Sequence, residues 1–204
     1  MAAVAARGVT AGRRRCLAGL ALVALAGCAG PQALIPTGAS AGRSLSRTGR
    51  FVVNVREPNV EPQVVQGGFA WLDHGGQLTL DLTSPLGAAL ARLQVQANGS
   101  AVLTDANGNQ TRADTADALM ARVVGVDVPV AGLRDWLAGT QTPGVPVQVL
   151  ATTDDGRASH FRQAGWDVRV LAADPVGPLR LSLQRTQGVL DIEVRLALQA
   201  VPHP

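Results

Sequence analysis

Two thiols and three imidazoles are the strongest nucleophiles of this chain, and one of the thiols has a distinctive setting. Cys28 follows an uncharged, mostly apolar run over residues 16–26, and three arginines at positions 13–15 stand directly before that run. The run is shorter than the roughly 20 apolar residues of a membrane-spanning helix. Its length matches the apolar core of an export signal. Residues 1–27 are therefore predicted to be an export signal.

The four residues Leu25-Ala26-Gly27-Cys28 resemble the lipobox of bacterial lipoproteins. In that motif the cysteine thiol is acylated before the signal is cleaved on its N-terminal side. The resemblance implies that Cys28 becomes the lipid-carrying first residue of the mature chain. Ala29 follows it, where aspartate commonly signals retention in the inner membrane, so a lipid anchor in the outer membrane, facing the periplasm, is expected. An ordinary signal with a chance cysteine is the alternative.

Charge and cysteine content exclude several classes of function. The chain has 18 basic and 15 acidic residues, and loss of residues 1–27 removes four arginines and no acid. The remaining 14 arginines and 15 acids give a charge of about −1. This charge lacks the basic excess that is typical of nucleic-acid-binding proteins and of polybasic membrane anchors. With Cys16 removed and Cys28 acylated, no thiol remains for a disulfide, a metal site or nucleophilic catalysis.

The remaining polar residues do not form a recognisable catalytic motif. His74, His160 and His203 have no metal-ligand partner at helix or hairpin spacing. No Gly-x-Ser-x-Gly elbow, phosphate loop or dinucleotide fingerprint occurs. The adjacent Asp154 and Asp155 lie in a turn-like stretch and are interpreted as solvated. The protein is therefore predicted not to be an enzyme and to use no cofactor or metal.

The sequence divides into a tether and one domain. Residues 28–44 form the lipidated N-terminus and a stretch rich in Gly, Ala, Pro and Ser, which is typical of a flexible tether. Over residues 45–204 apolar and polar residues mostly alternate, as in half-buried strands. The clearest alternation falls at residues 51–55, 78–82, 93–95, 179–183 and 190–198. Glycine-containing turns between these runs favour antiparallel hairpins.

Two short amphipathic helices are predicted between the strands. Asp114 can cap the first helix, which runs to about residue 124 and ends at Gly125. Its apolar stripe comprises Leu119, Met120, Val123 and Val124. Pro129 suits the first turn of the second helix, with Leu133, Trp136 and Leu137 at helical spacing and Gly139 after its end. The expected architecture is one sheet with both helices packed on its apolar face.

The apolar residues permit two kinds of interior. They make up 47% of the chain, whereas aromatic residues make up 3%. A curved sheet lined by Leu and Val, without large rings to fill it, can leave a cavity for alkyl chains. A packed core without a cavity is the alternative, and composition alone favours the packed core.

An ordered set of segments resembles the LolB family, the outer-membrane receptors that insert lipoproteins. No single segment is diagnostic, but their order and spacing match the family over about 120 residues. The segments are Gly49-Arg50-Phe51, Gly68-Phe69-Ala70-Trp71, residues 80–87 (LDLTSPLG), residues 113–119 (ADTADAL), residues 128–139 (VPVAGLRDWLAG) and Gln163-x-Gly165-Trp166-x-Val168.

This resemblance implies a mainly β fold, an incomplete antiparallel β-barrel (a half-barrel) whose short helices cover a hydrophobic cavity. It implies a monomer that accepts acylated lipoproteins from the periplasmic carrier LolA and places them among outer-membrane phospholipids without ATP. The loop Pro85-Leu86-Gly87 corresponds to the family loop whose protruding leucine is needed for membrane insertion. A structural lipoprotein without acyl cargo and a lipid-linked hydrolase are the alternatives.

The strand phases and the resemblance together predict which residues line the acyl cavity. The strand residues are expected to share one continuous apolar interior, and each tryptophan is as well explained by ordinary core packing. The predicted lining residues are Phe51, Trp71, Leu80, Leu82, Leu93, Val95, Leu119, Trp136, Leu181, Leu183, Ile192 and Val194.

Overall fold

The computed structural model describes residues 44–124 and 127–200, and within them eleven strands form a single sheet. The predicted signal, Cys28 and residues 28–43 of the tether lie outside this part of the chain. The strands are β1 (Leu45–Arg56), β2 (Gln63–His74), β3 (Gln77–Thr83), β4 (Ala89–Val95), β5 (Ala101–Asp105), β6 (Gln110–Ala113), β7 (Val147–Thr152), β8 (Ala158–Gln163), β9 (Trp166–Ala173), β10 (Pro178–Gln187) and β11 (Leu190–Leu198). The helices are α1 (Ala116–Val124) and α2 (Val130–Trp136).

All neighbouring strands are antiparallel, in the order β6-β5-β4-β3-β2-β1-β11-β10-β9-β8-β7. The first strand therefore lies at the centre, where it pairs with both β2 and β11. In the described part of the chain β6 and β7 form the two edges and do not pair with each other. The predicted mainly β, incomplete antiparallel barrel is confirmed.

The contacts of α2 show that the sheet curves around the helices. Trp136 of α2 packs edge-on against Phe161 of β8, with ring centroids 6.2 Å apart. Two residues earlier, Arg134 Nε lies 2.6 Å from Asp73 Oδ2 at the end of β2. Strands β2 and β8 are five positions apart, which is about 24 Å across a flat sheet. One short helix reaches both strands because the sheet bends toward it.

The predicted alternation of apolar and polar residues gives the sheet one buried face. We call the face toward the helices the inner face and the opposite face the outer face. Turns form at the glycine-containing segments where the sequence predicted them, because glycine adopts a left-handed backbone conformation at little energetic cost. Positive φ angles occur at Gly76, Gly99, Gly108, Gly156 and Gly188.

Two details of the predicted helix α1 are wrong. Thr115, not Asp114, caps the helix, because its Oγ1 accepts a hydrogen bond of 3.1 Å from the backbone N–H of Ala118. The predicted apolar stripe is also too wide: Leu119 and Met120 are buried, whereas Val123 is 46% exposed. The side chain of Val124 lies outside the described part. The second helix forms as predicted, with Gly139 after it at a φ of +77°, but Pro129 is the residue immediately before α2 rather than part of its first turn.

Candidate functional site

The hairpin loop between β3 and β4 presents one large apolar side chain to solvent. The backbone N–H of Gly87 donates to the carbonyl oxygen of Ser84 at 2.9 Å, and the N–H of Ala88 donates to Ser84 Oγ at 3.1 Å. Pro85 fixes one φ angle, and Gly87 supplies the left-handed turn at a φ of +88°. Leu86 stands between them and is 98% exposed. The loop is therefore ordered by its backbone and by the Ser84 hydroxyl, and the Leu86 side chain forms none of these hydrogen bonds.

The residues predicted to line an acyl cavity come together in one apolar cluster beneath the helices. Phe51 and Leu82 are partly buried at its margin. The other ten predicted residues are buried, namely Trp71, Leu80, Leu93, Val95, Leu119, Trp136, Leu181, Leu183, Ile192 and Val194. The predicted strand phases therefore place the strand residues of this set on the inner face, and Leu119 and Trp136 reach the cluster from α1 and α2.

A cavity of about 290 Å³ opens at the margin of this cluster, between α1, α2 and strands β3 and β4. Its apolar walls are Leu78, Val95, Ala116 and Val130, and Ala131 of α2 also lines it. Ligand pockets commonly measure about 300–1,000 Å³, so this cavity lies at the small end of that range.

Three buried polar residues, which the sequence interpretation missed, hold α2 over the inner face. Asp73 pairs with Arg134, as described above. Arg47 of β1 donates from Nε to the carbonyl oxygen of Leu137 at 3.4 Å, just after the end of α2, and from Nη2 to that of Val176 at 3.0 Å. The third is Gln163. A signal was present in the sequence, because each of these residues lies in phase with the apolar positions of its strand.

Gln163 forms four hydrogen bonds from a buried position at the end of β8. Its Oε1 accepts from the indole Nε1 of Trp136 at 3.0 Å and from the backbone N–H of Thr142 at 2.9 Å. Its Nε2 donates to the carbonyl oxygens of Thr142 at 2.9 Å and Val145 at 3.0 Å. One amide therefore joins α2, the segment after it and the sheet.

The residues considered for catalysis do not assemble into a catalytic centre. His74 is exposed in the β2–β3 hairpin, and His203 lies outside the described residues. His160 Nε2 lies 2.9 Å from Asp167 Oδ1 on the outer face. Asp154 and Asp155 are exposed, and Asp155 pairs with Arg157 at 2.7 Å. Within residues 44–124 and 127–200, no three His, Cys, Asp or Glu side chains are grouped as metal ligands.

Neither helix in the described part of the chain has the length and apolar character needed to cross a bilayer. The chain resembles known lipoproteins over nearly its whole domain. The family model described as outer membrane lipoprotein LolB matches residues 45–200. Among known structures, a LolA superfamily protein from Nitrosomonas europaea matches 77% of this chain and 87% of that chain at 11% identity, with a TM-score of 0.39, which is too weak a likeness to support a conclusion.

Curated relatives named outer-membrane lipoprotein LolB give the stronger comparison. The protein from Bordetella petrii is 46% identical over 175 residues, covering 85% of this chain and 86% of the relative. That of Bordetella pertussis is 44% identical over 181 residues, covering 88% of each chain, and that of Cupriavidus necator is 38% identical over 165 residues, covering 79% and 82%. The chain therefore belongs to the LolB family of outer-membrane lipoproteins.

Proposed function

We propose that this protein is a monomeric outer-membrane receptor that accepts acylated lipoproteins from the periplasmic carrier LolA and inserts them among outer-membrane phospholipids. The observation that carries the proposal is the fully exposed Leu86 on an ordered loop, beside a curved sheet whose apolar inner face is covered by two small helices. The first feature suits contact with a bilayer, and the second suits reversible shelter of acyl chains.

The driving force of this transfer is the burial of alkyl chains. Each buried methylene group contributes about 0.8 kcal/mol, so a modest difference in buried chain length makes transfer from one cavity to the next favourable without ATP. Because the cavity is small at rest, acceptance requires α1 and α2 to open. The polar contacts of Arg47, Asp73 and Gln163 set the cost of that opening.

Obstruction of the cavity mouth should weaken acyl binding. Phenylalanine in place of Ala131 should project over the opening and exclude part of the chain. Loss of burial for two methylene groups would weaken binding roughly tenfold. Titration with a fluorescent fatty acid measures this effect.

The control is Ala118→Phe, at an exposed position on α1 outside the cavity lining. Equal binding by both variants would contradict acyl entry at this mouth, and no binding by the unaltered protein would favour a structural lipoprotein without cargo.

Anchoring is proposed to occur through Cys28. A Cys28→Ser chain should lack the acyl groups, because lipid attachment uses the thiol of that cysteine. Mass spectrometry of the mature N-terminus tests this expectation directly. An unmodified Cys28 in the natural protein, or cleavage at another position, would contradict the proposed anchor.

A further inference from the structure

The outer face carries an arginine-rich cleft that shares no lining residue with the cavity between α1 and α2. The cleft has a volume of about 600 Å³ and is formed by β1 and strands β8–β11. Its outer-face lining includes Arg56, Arg162, Arg169, Asp167, Gln184 and Glu193. Strand pairing joins these residues in a row, with Arg162 opposite Asp167, Asp167 opposite Gln184, and Gln184 opposite Glu193.

The carboxylates of the cleft lie beneath its guanidinium groups. Asp167 Oδ2 lies 3.2 Å from Arg162 Nε, and its Oδ1 lies 3.1 Å from Arg169 Nε. Glu193 Oε1 lies 2.8 Å from Arg195 Nη2, and Glu193 Oε2 lies 3.9 Å from Arg56 Nη2. The side chains of these four arginines are 50–63% exposed, whereas those of the two acids are only 10% and 17% exposed. An approaching molecule therefore meets guanidinium groups rather than carboxylates.

The partly buried Asp167 and the buried Glu193 hold these arginines in position before a ligand binds. Burial alone raises the pKa of Asp167, but hydrogen bonds from His160, Arg162 and Arg169 outweigh it, so the net pKa is lowered. Asp167 is therefore ionised at neutral pH and holds its arginines in place. Side chains that are already ordered lose less entropy when they bind a ligand.

The positive charge of this cleft is local. Together with Arg195, which binds Glu193, the outer-face lining has four arginines against the three acids Asp167, Asp191 and Glu193, although the exported chain has a slight excess of acids. On the other half of the outer face, Arg92 of β4 pairs with one acid, Asp81 of β3.

The cleft lies at the same end of the sheet as the Leu86 loop. Strands β1 and β3 both run toward that end, because each is antiparallel to β2 between them. Arg56 closes β1, and the loop of Leu86 follows β3. Strands β9 and β11 start at that end, near Asp167 and Glu193. A bilayer that receives Leu86 would therefore present its head groups near the cleft.

We propose that the arginine-rich cleft binds the phosphate of anionic phospholipid head groups and orients the protein at the membrane. Paired guanidinium groups match phosphate oxygens in geometry and charge. The proposal rests on the proposed function only for the position of the bilayer, since head-group binding is measured separately from cargo insertion.

The test variant replaces one of the two arginines that pair with each acid. In the Arg56→Gln, Arg162→Gln double variant, Glu193 keeps Arg195 and Asp167 keeps Arg169, so neither carboxylate is left without a cation. The exported chain with Cys28→Ala, which has no acyl anchor, is sedimented with vesicles of phosphatidylcholine alone or of an equal mixture with phosphatidylglycerol. The double variant should lose roughly fivefold in partition to the mixed vesicles for each arginine and be unchanged on phosphatidylcholine. Thermal denaturation should show that both proteins are equally stable.

The control is Arg92→Gln, Arg157→Gln, which removes the same charge from two exposed ion pairs elsewhere. An equal loss of partition to the mixed vesicles by this control would overturn the proposed binding at the cleft and indicate a general effect of charge. Inorganic phosphate, compared with chloride at equal ionic strength, should compete with the mixed vesicles for the unaltered protein. If phosphate binds but the double variant partitions to the mixed vesicles as well as the unaltered protein does, the cleft holds a free anion and the lipid assignment is overturned. If the double variant binds vesicles normally but accepts lipoprotein poorly from the carrier, the lipid assignment is also overturned and the cleft binds an acidic protein partner.

Leu86→Glu reports the proposed function independently, because it should impair insertion on both kinds of vesicle.

Discussion

Leu86→Glu is expected to fold normally, to accept lipoprotein from its carrier and to fail in passing it to the bilayer. Leu86 is 98% exposed and forms none of the hydrogen bonds that order its loop, so its replacement should leave the fold intact. Entry of the leucine into the acyl region contributes roughly 1.5–3 kcal/mol. Loss of that contribution should reduce the rate of insertion by at least about tenfold.

Acceptance and insertion should be measured separately, with purified carrier, receptor and liposomes. Leu171→Glu is a matched control, because Leu171 is 63% exposed on β9 and its replacement adds the same charge away from the loop. Leu86→Met keeps an apolar side chain and should preserve insertion. If Leu86→Glu inserts cargo at the normal rate, Leu86 is only a turn residue. If it fails to fold, the loop belongs to the core.

Local sequence patterns predicted the strands because one face of this sheet is buried and the other is not. The alternation at residues 190–198, for example, corresponds to β11, whose Ile192, Val194, Leu196 and Leu198 are all buried. Glycine-containing turns predicted the hairpins for an equally local reason. The half-barrel followed from the family resemblance. The order of the strands was not predicted, since alternation alone does not specify which strands become neighbours.

The features that sequence interpretation missed depend on contacts between distant segments. Arg47 binds the carbonyl oxygen of Leu137, 90 positions later, so its burial cannot be read from its neighbours in the sequence. The arginine-rich cleft draws on β1 and on strands β8–β11, and the near-neutral total charge conceals it. Thr115 rather than Asp114 caps α1 because of where the chain turns after β6, and that turn is not specified by the residues of the helix. Cavity size likewise depends on how closely α1 and α2 approach the sheet.

Gln163→Leu is expected to lower the free energy of unfolding by about 3–5 kcal/mol. Leucine has a similar size but cannot replace the four hydrogen bonds to Trp136, Thr142 and Val145. Each buried group left without a partner costs about 1–3 kcal/mol, and the backbone groups of the segment after α2 recover part of this from water. Urea denaturation measures the loss, with Gln94→Leu, at an exposed position of β4, as the control. A loss below about 1 kcal/mol would contradict the clamping role of Gln163.

Gln163→Glu separates the hydrogen-bond pattern from side-chain volume. A protonated glutamate can still accept from Trp136 and donate to one carbonyl oxygen, whereas an ionised one faces the carbonyl oxygens of Thr142 and Val145 without a proton. Burial and these carbonyls should therefore raise its pKa in the folded state above the ordinary value of about 4.3. A raised folded pKa stabilises the protein at pH values below the unfolded pKa, and this stability is lost as pH rises through the folded pKa. The variant should thus approach the unaltered protein in stability at acid pH and fall behind it near neutrality, in urea denaturation at a series of pH values. A stability difference that does not change with pH would show that water reaches position 163 and that the amide does not clamp α2.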